Sequence, residues 1–130
     1  MQPEPLCLFL RERFAGLLAI YAFGSRIVGG ARADSDLDLA ILVPGYADPL
    51  ELWSASGDLA GLAGCPVDLL DLRAASTVMQ YQVITTGQRW WMSDHRASVY
   101  EAAILSEKTA LDTARRGLLD DIARRGSIHG

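Results

Sequence analysis

Cysteine is scarce in this sequence of 130 residues, which limits the metal and redox sites that it can form. The two cysteines, Cys7 and Cys65, lie far apart and form no Cys-x-x-Cys motif. Zinc sites and dithiol redox centres normally need closely spaced ligands of that kind. We therefore expect two buried thiols in a reducing compartment, rather than a zinc site or a redox pair.

Positive charge is also in short supply. Twelve lysines and arginines stand against 16 aspartates and glutamates, which gives a net charge of -4. Proteins that bind long DNA or RNA usually present a large basic surface, so this composition argues against direct nucleic-acid binding. A single nucleotide needs only a local pocket and remains compatible with the composition.

Long apolar runs are absent, and none of the runs present is long enough to cross a membrane. The sequence begins Met1-Gln2-Pro3-Glu4, without the basic residues that open a signal peptide. We therefore predict a cytoplasmic protein without a membrane span. Half of the residues are apolar, which is sufficient for one hydrophobic core in a single domain.

The hydrophobic pattern predicts helices and strands that alternate along the chain. Strands are predicted at 17–23, 36–43, 66–72 and 89–92, the last at a sheet edge, and helices at 5–14, 50–62, 76–86 and 93–123, with a short helix after Gly24. This order indicates an α+β domain, with an α/β-type mixed sheet flanked by helices, over residues 1–125. Residues 126–130 are predicted to form a C-terminal tail. The apolar face of the last helix either covers the sheet or docks a partner helix.

Two aspartates stand at the start of the second predicted strand, in the sequence Asp36-Leu37-Asp38. Alternate side chains of a strand share a face, so the two carboxylates point the same way while Leu37 anchors the opposite face. Neighbouring carboxylates repel each other, and partial burial strengthens the repulsion. Either one carboxyl group stays protonated or a divalent cation lies between them. Mg²⁺ prefers such oxygen ligands.

The third predicted strand offers a third carboxylate, from either Asp68 or Asp71. These two residues lie on opposite faces of the strand, so only one of them can join the pair. If Asp68 faces the pair, Asp71 points away toward solvent or a basic partner, and periodicity alone also allows the reverse. Asp-x-Asp occurs by chance on many solvated strand ends, so the pair is weak evidence when taken alone.

A Gly-Ser turn precedes the aspartate pair and strengthens the case for a site. Gly24 and Ser25 follow an apolar strand, and ten residues separate Ser25 from Asp36. The N–H groups at the start of a helix and a serine hydroxyl suit an anionic phosphate, and a glycine lets the backbone approach it closely. A phosphate-binding turn beside carboxylates is typical of metal-assisted phosphoryl or nucleotidyl transfer.

The segment GSRIVGGARADSDLDLAIL resembles the signature of the DNA polymerase β-like nucleotidyltransferase superfamily, in which ten residues separate Gly-Ser from Asp-x-Asp. The short chain is similar to the minimal nucleotidyltransferases (the MNT family), which are often antitoxins paired with HEPN-domain ribonuclease toxins. The resemblance in motif detail covers residues 17–72. It implies a single domain with a nucleotidyltransferase-like fold.

The resemblance implies that Gly24 and Ser25 hold the β- and γ-phosphates of the nucleotide. Arg26 is expected either beside these phosphates or as an exposed surface arginine without a function. Many relatives have Gly-Ser-Arg-Ala-Arg-Gly at this point, whereas this chain has Val28 in place of the second arginine. A cationic contact to a phosphate or to the partner is then missing. Arg32 is the candidate to replace it by reaching back from the loop.

The same resemblance implies a role for three aspartates. Asp36 and Asp38 match the residues that bind two Mg²⁺ ions, and Asp68 matches the one that binds the catalytic ion and helps to activate the attacking hydroxyl. The expected donor is ATP, and the expected acceptor is a tyrosine of a HEPN toxin, which is silenced by the added AMP. The chain is therefore expected to form a hetero-oligomer with that toxin.

Two other functions fit the sequence. A binding module would mask its partner sterically, with the nucleotide site retained but idle. A nucleotidyltransferase for small molecules, such as antibiotics, would usually carry an additional helical domain, and about one helix remains here after the core fold.

Overall fold

The structure is a computed structural model that describes residues 2–29 and 36–129, without the side chains of Val28 and of residues 124–129. The strands are β1 (Ala19–Phe23), β2 (Leu37–Leu42), β3 (Val67–Asp71) and β4 (Gln88–Met92). The helices are α1 (Pro3–Arg13), α2 (Ser25–Val28), α3 (Pro49–Ala63), α4 (Thr77–Thr86) and α5 (Arg96–His129), with a short 3-10 helix at Leu72–Ala74. The predicted order of helices and strands is confirmed.

The four strands form one mixed sheet in the order β3-β2-β1-β4, with β4 at an edge as predicted. Strand β1 is antiparallel to both β2 and β4, while β2 and β3 are parallel. The beginnings of β2 and β3 and the end of β1 therefore meet at the same end of the sheet. We call this the carboxylate end, because the predicted aspartates lie on the strands that meet there.

Helices cover both faces of the sheet. Helices α1 and α3 pack on one face through residues such as Leu10 and Leu59, which belong to the same core cluster as Leu39 of β2. Helix α4 and the start of α5 pack on the other face, where Val83 and Ala97 join the second core cluster. The sheet is thus enclosed between two helical layers, and its ends are the places left for a polar site.

Three helix ends carry the capping residues that the sequence pattern favours. Asp48 accepts a hydrogen bond from the N–H of Leu50 at the start of α3, at 3.0 Å, and Gly64 ends this helix in the left-handed conformation. The Ser76 hydroxyl accepts the N–H of Met79 at 3.1 Å at the start of α4, close to the predicted helix start at residue 76. These caps fix where α3 and α4 begin, and hence how each packs on the sheet.

The C-terminal helix differs from its prediction. Helix α5 ends at His129, so the tail predicted for residues 126–130 is wrong over 126–129. A lone glycine such as Gly126 costs about 1 kcal/mol in a helix but does not end one without a capping arrangement after it.

The long α5 covers the sheet with its first turns only. Ala97 and Ile104 are buried, whereas Leu111, Leu118 and Ile122 are exposed. The covering role predicted for this helix therefore belongs to its N-terminal part. In the part of the chain that the structure describes, no helix is both long enough and apolar enough to cross a membrane.

A substitution in the centre of the sheet tests this packing. Leu39 of β2 is 0% exposed, and Leu39→Ala should lower the free energy of unfolding by about 2–5 kcal/mol, because transfer energy is lost and a cavity remains. Urea denaturation followed by circular dichroism measures the change. Val99→Ala, on the exposed side of α5, should stay within about 0.5 kcal/mol of the parent. Equal losses for the two variants would contradict the described core.

Candidate active site

The strand register brings Asp38 next to both of its predicted companions. On β1, Phe23 lies opposite Asp38, so the Gly24-Ser25 turn begins directly beside this aspartate. On β3, Asp68 lies opposite Asp38 across the parallel ladder. Because Ala40 and Leu42 of β2 belong to the cluster under α4 and α5, Asp38 points to that side of the sheet.

The three aspartates differ in burial and interact electrostatically. Asp38 is partly buried, while Asp36 and Asp68 are exposed. Burial raises the pKa of Asp38 above its usual value, and the negative charges of Asp68 and then Asp36 raise it further. A proton or a cation at this point relieves both effects. The arrangement therefore has the electrostatic character of a cation site.

Gly24 is required by the geometry of this turn. Its φ of +84° lies in a region that other residues rarely adopt. A Cβ atom placed here would lie 2.2 Å from Oδ2 of Asp38. The sequence predicts a glycine that lets a ligand approach, and the structure adds a second reason, namely room for the Asp38 carboxylate.

Ser25 and Arg26 begin helix α2 at the carboxylate end. Ser25 is exposed, and no side chain of the described residues caps the start of this helix. Arg26 is partly exposed and lines a cleft of about 270 Å³ together with Leu37 and Trp90. The contact of these residues with phosphates stays a prediction. The arginine proposed as a replacement, Arg32, and the side chain of Val28 lie outside the described part of the chain.

The carboxylates form an open site. Within residues 2–29 and 36–129, no group of three or more His, Cys, Asp or Glu side chains is arranged so that it could hold a metal ion by itself. Mg²⁺ usually keeps several waters and takes one or two carboxylates together with substrate phosphates. The hard oxygen donors and the raised pKa of Asp38 fit such an ion, which would complete its ligand shell with the nucleotide.

Asp71 has a structural role that the sequence analysis missed. It lies on the opposite face from Asp68, as predicted. Of the two orientations expected for it, toward solvent or toward a basic partner, the first is wrong, because Asp71 is 5% exposed. Its carboxylate accepts the N–H of Ala47 at 2.8 Å and the N–H of Arg73 at 3.1 Å. It therefore starts the 3-10 helix after β3 and ties it to the loop after β2, an Asx-type turn.

A partly buried polar network links β1 to α5 and β4. Tyr21 of β1 is 1% exposed, and its hydroxyl donates to Oε2 of Glu101 at 2.8 Å. Nη1 of Arg89 donates to the same oxygen at 2.6 Å. Burial, and then the hydrogen bond to Glu101, raise the pKa of Tyr21 well above its usual value. The network thus fixes α5 against β4 and against β1, the strand that leads into the Gly-Ser turn.

Gly87 is a second glycine that the packing requires. A Cβ atom here would lie 2.5 Å from the carbonyl oxygen of Val83 and 2.7 Å from that of Ala22. Glycine therefore lets the turn between α4 and β4 lie against the end of β1. Its place directly after a helical pattern is the signal that could have identified it.

Comparison with known proteins extends the resemblance beyond the motifs. A family model described as polymerase beta, nucleotidyltransferase matches residues 9–96. Protein adenylyltransferase MntA of Shewanella oneidensis is 34% identical over 113 residues, which cover 87% of this chain and 81% of that protein. Both the Gly-Ser turn and the three aspartates lie within the matched family region.

Solved structures agree over nearly the whole chain. A chain in a crystal structure of a toxin–antitoxin with AMP-PNP is 31% identical, with a TM-score of 0.82 over 94% of this chain and 98% of that one. A chain in the structure of the tri-AMPylated Shewanella oneidensis HEPN toxin in complex with MNT antitoxin is 30% identical, with a TM-score of 0.74 over 92% and 93%. The predicted fold class is confirmed.

Replacement of Gly24 tests the close approach of Asp38. Gly24→Ala should lower stability by about 1–2 kcal/mol through its positive φ alone, and it should also displace the Asp38 carboxylate. Gly45→Ala is the matched control, because Gly45 has a φ of +73° but no atom within 4 Å of the added Cβ. Urea denaturation measures stability, and NMR titration measures the pKa of Asp38. An unchanged Asp38 titration in Gly24→Ala would contradict the contact.

The pH dependence of stability tests the repulsion at Asp38. Because the folded pKa of Asp38 is raised, the carboxylate form destabilises the folded state as the pH rises through that value. Asp38→Asn should therefore have a higher Tm than the parent at pH 7. The difference should disappear below about pH 4, where the unfolded chain also binds the proton.

Thermal denaturation without divalent ions, from low to neutral pH, measures this difference. Asp58→Asn removes one exposed carboxylate of α3 and serves as the control for net charge. A gain in Tm for Asp58→Asn as large as that for Asp38→Asn would show that the effect does not arise from the carboxylate cluster.

Proposed function

This chain belongs to the polymerase β family of nucleotidyltransferases, in its minimal (MNT) branch, and we propose that it transfers AMP from ATP to a tyrosine of a HEPN-domain toxin. The modified toxin would then be neutralised, so the chain would act as an antitoxin. The observation that carries the proposal is the placement of Asp68 opposite Asp38, directly beside the Gly24-Ser25 turn. The likeness to protein adenylyltransferase MntA supports a protein hydroxyl as the acceptor.

The phosphate-binding part of the site consists of Gly24, Ser25 and Arg26. The backbone at the start of α2 and the Ser25 hydroxyl would orient the β- and γ-phosphates of ATP. Arg26 lies in the first turn of the same helix and would add a positive charge. Gly24 keeps this turn against the Asp38 carboxylate, so the phosphates and the aspartates would meet at one end of the sheet.

The metal-binding part consists of Asp36, Asp38 and Asp68, which would hold two Mg²⁺ ions. When bound, these ions would neutralise charge on the phosphates and favour the deprotonated acceptor. Asp68, exposed on an edge strand, would receive the acceptor hydroxyl and help to remove its proton. The new bond joins the acceptor oxygen to the α-phosphorus, and the bond from that phosphorus to the β-phosphate oxygen breaks, so that pyrophosphate leaves.

We propose that the reaction takes place in the cytoplasm, where the donor ATP and Mg²⁺ are available. Cys7 and Cys65 are both buried and free in the structure, which is compatible with a reducing compartment.

An AMP-transfer assay with a HEPN-domain protein as acceptor tests the proposal, and a HEPN gene adjacent to the gene for this chain would supply that acceptor. With α-labelled ATP and Mg²⁺, the parent should label that protein, and mass spectrometry should find AMP on a tyrosine. Asp38→Asn and Asp68→Asn should each slow labelling by at least about 100-fold, as expected when electrostatic stabilisation of the reaction is removed. Asp58→Asn should label at the parental rate.

Asp38→Asn is expected to be at least as stable as the parent at pH 7. A loss of labelling by this variant can therefore be attributed to the missing carboxylate rather than to unfolding. Labelling by Asp38→Asn at the parental rate would refute the catalytic assignment. If Asp38→Asn instead silences the toxin in the absence of ATP, the chain acts by steric masking.

A further inference from the structure

Asp38 has four neighbouring positions on the face of the sheet that α4 and α5 cover. Phe23 of β1 and Asp68 of β3 lie opposite it on the two adjoining strands, and Asp36 and Ala40 lie two residues away along the chain. Asp36 and Asp68 are exposed carboxylates, and Ala40 is small and buried. Phe23 therefore supplies the one large apolar side chain among the four.

The core holds Phe23 beside Asp38. The Phe23 side chain is partly buried and packs against the cluster that contains Tyr21 and Ala40. On the side away from Asp38, a Cβ atom added to Gly87 would lie 3.2 Å from the Cβ atom of Phe23. Phe23 is thus confined between the strand that carries Asp38 and the turn that leads into β4.

The two sides of Asp38 differ in their access to water. The side toward β3 carries the exposed Asp68, whereas the side toward β1 carries Phe23. Water that hydrates a carboxylate competes with a cation, and an apolar neighbour lowers the local dielectric and strengthens the attraction between carboxylate and cation. A cation that reaches Asp38 from the Asp68 side therefore meets a carboxylate that is already partly removed from water.

We propose that Phe23 is a positioning residue of the metal-binding part of the site: it keeps water from one side of the Asp38 carboxylate and thereby strengthens the binding of a divalent cation. This inference rests on the proposed function, which assigns such a cation to Asp38. Phe23 acts through Asp38 and touches neither the cation nor the nucleotide. A residue that served core packing alone would affect the stability of the chain and not its affinity for the cation.

Calorimetric titration with AMP-PNP tests this role without an acceptor protein. With excess Mg²⁺, Phe23→Ala should raise the Kd for the nucleotide by at least about tenfold, as for other losses from the shell around a metal site. In EDTA, the metal-free nucleotide should bind Phe23→Ala and the parent equally. Phe23→Leu, which keeps an apolar side chain beside Asp38, should recover most of the affinity for the magnesium complex.

Met92→Ala is the matched control for lost packing. Met92 packs on the same cluster as Phe23 but lies opposite Ala19, at the other end of β1. Both alanine variants should be less stable than the parent in urea denaturation, while Met92→Ala should keep the parental Kd with Mg²⁺. If Phe23→Ala does not fold, Phe23→Thr, whose β-branched side chain suits a strand, takes its place with the same expectation.

The outcomes separate this inference from the proposed function. A parental Kd in Phe23→Ala with Mg²⁺, or an equal loss of affinity with and without the metal, overturns the role of Phe23 even when the parent transfers AMP. If the parent transfers no AMP, the proposed function fails, and the Kd values of the variants still decide the role of Phe23. A parent that does not bind AMP-PNP with Mg²⁺ also overturns the inference.

Discussion

Repulsion among the carboxylates of Asp36, Asp38 and Asp68 is the constraint on which the rest of the site depends. The register of β2 with β3 holds two of these groups opposite each other, and partial burial of Asp38 prevents water from screening them fully. Such an arrangement raises the free energy of the folded chain unless a proton or a cation is present. The same arrangement makes the site suited to an ion that arrives with a phosphate ligand.

The fold can hold this unfavourable cluster because the rest of the sheet is well packed. Core residues on both faces are fully buried under two layers of helices. Tyr21, Glu101 and Arg89 fix α5 against the strands beside the site, and Gly87 lets the α4–β4 turn pack against β1. Proteins commonly concentrate local strain at functional sites while the surrounding structure maintains stability. Here the strain is electrostatic and lies at one end of the sheet.

Most of the fold could be predicted from the sequence, and so could the location of the site. The apolar runs predicted each strand to within about two residues, and Ser76 and Gly64 marked helix ends through their own local chemistry. The spacing of Gly-Ser and Asp-x-Asp indicated the family that the comparisons support. These features could be predicted because each of them depends on residues close together in the chain.

Other features were missed because they depend on residues far apart in the chain. The bond between Tyr21 and Glu101 joins residues 80 positions apart, and no periodic pattern indicates it. Asp71 accepts a hydrogen bond from the N–H of Ala47 in the loop after β2, 24 positions away, so the sequence predicted neither its burial nor its role in a turn. The exposure of Trp53 likewise appears only once the opposite side of α3 is known to face the core.

The sequence alone determined the alternation of helices and strands, the shared face of Asp36 and Asp38, and the glycine turn before them, because backbone periodicity and local steric limits act over a few residues. The tertiary structure decided which third aspartate joins the pair. Strand pairing places Asp68 opposite Asp38 and turns Asp71 into the interior. That choice requires two strands to meet in one register, and the register is set by packing of the whole sheet against its helices.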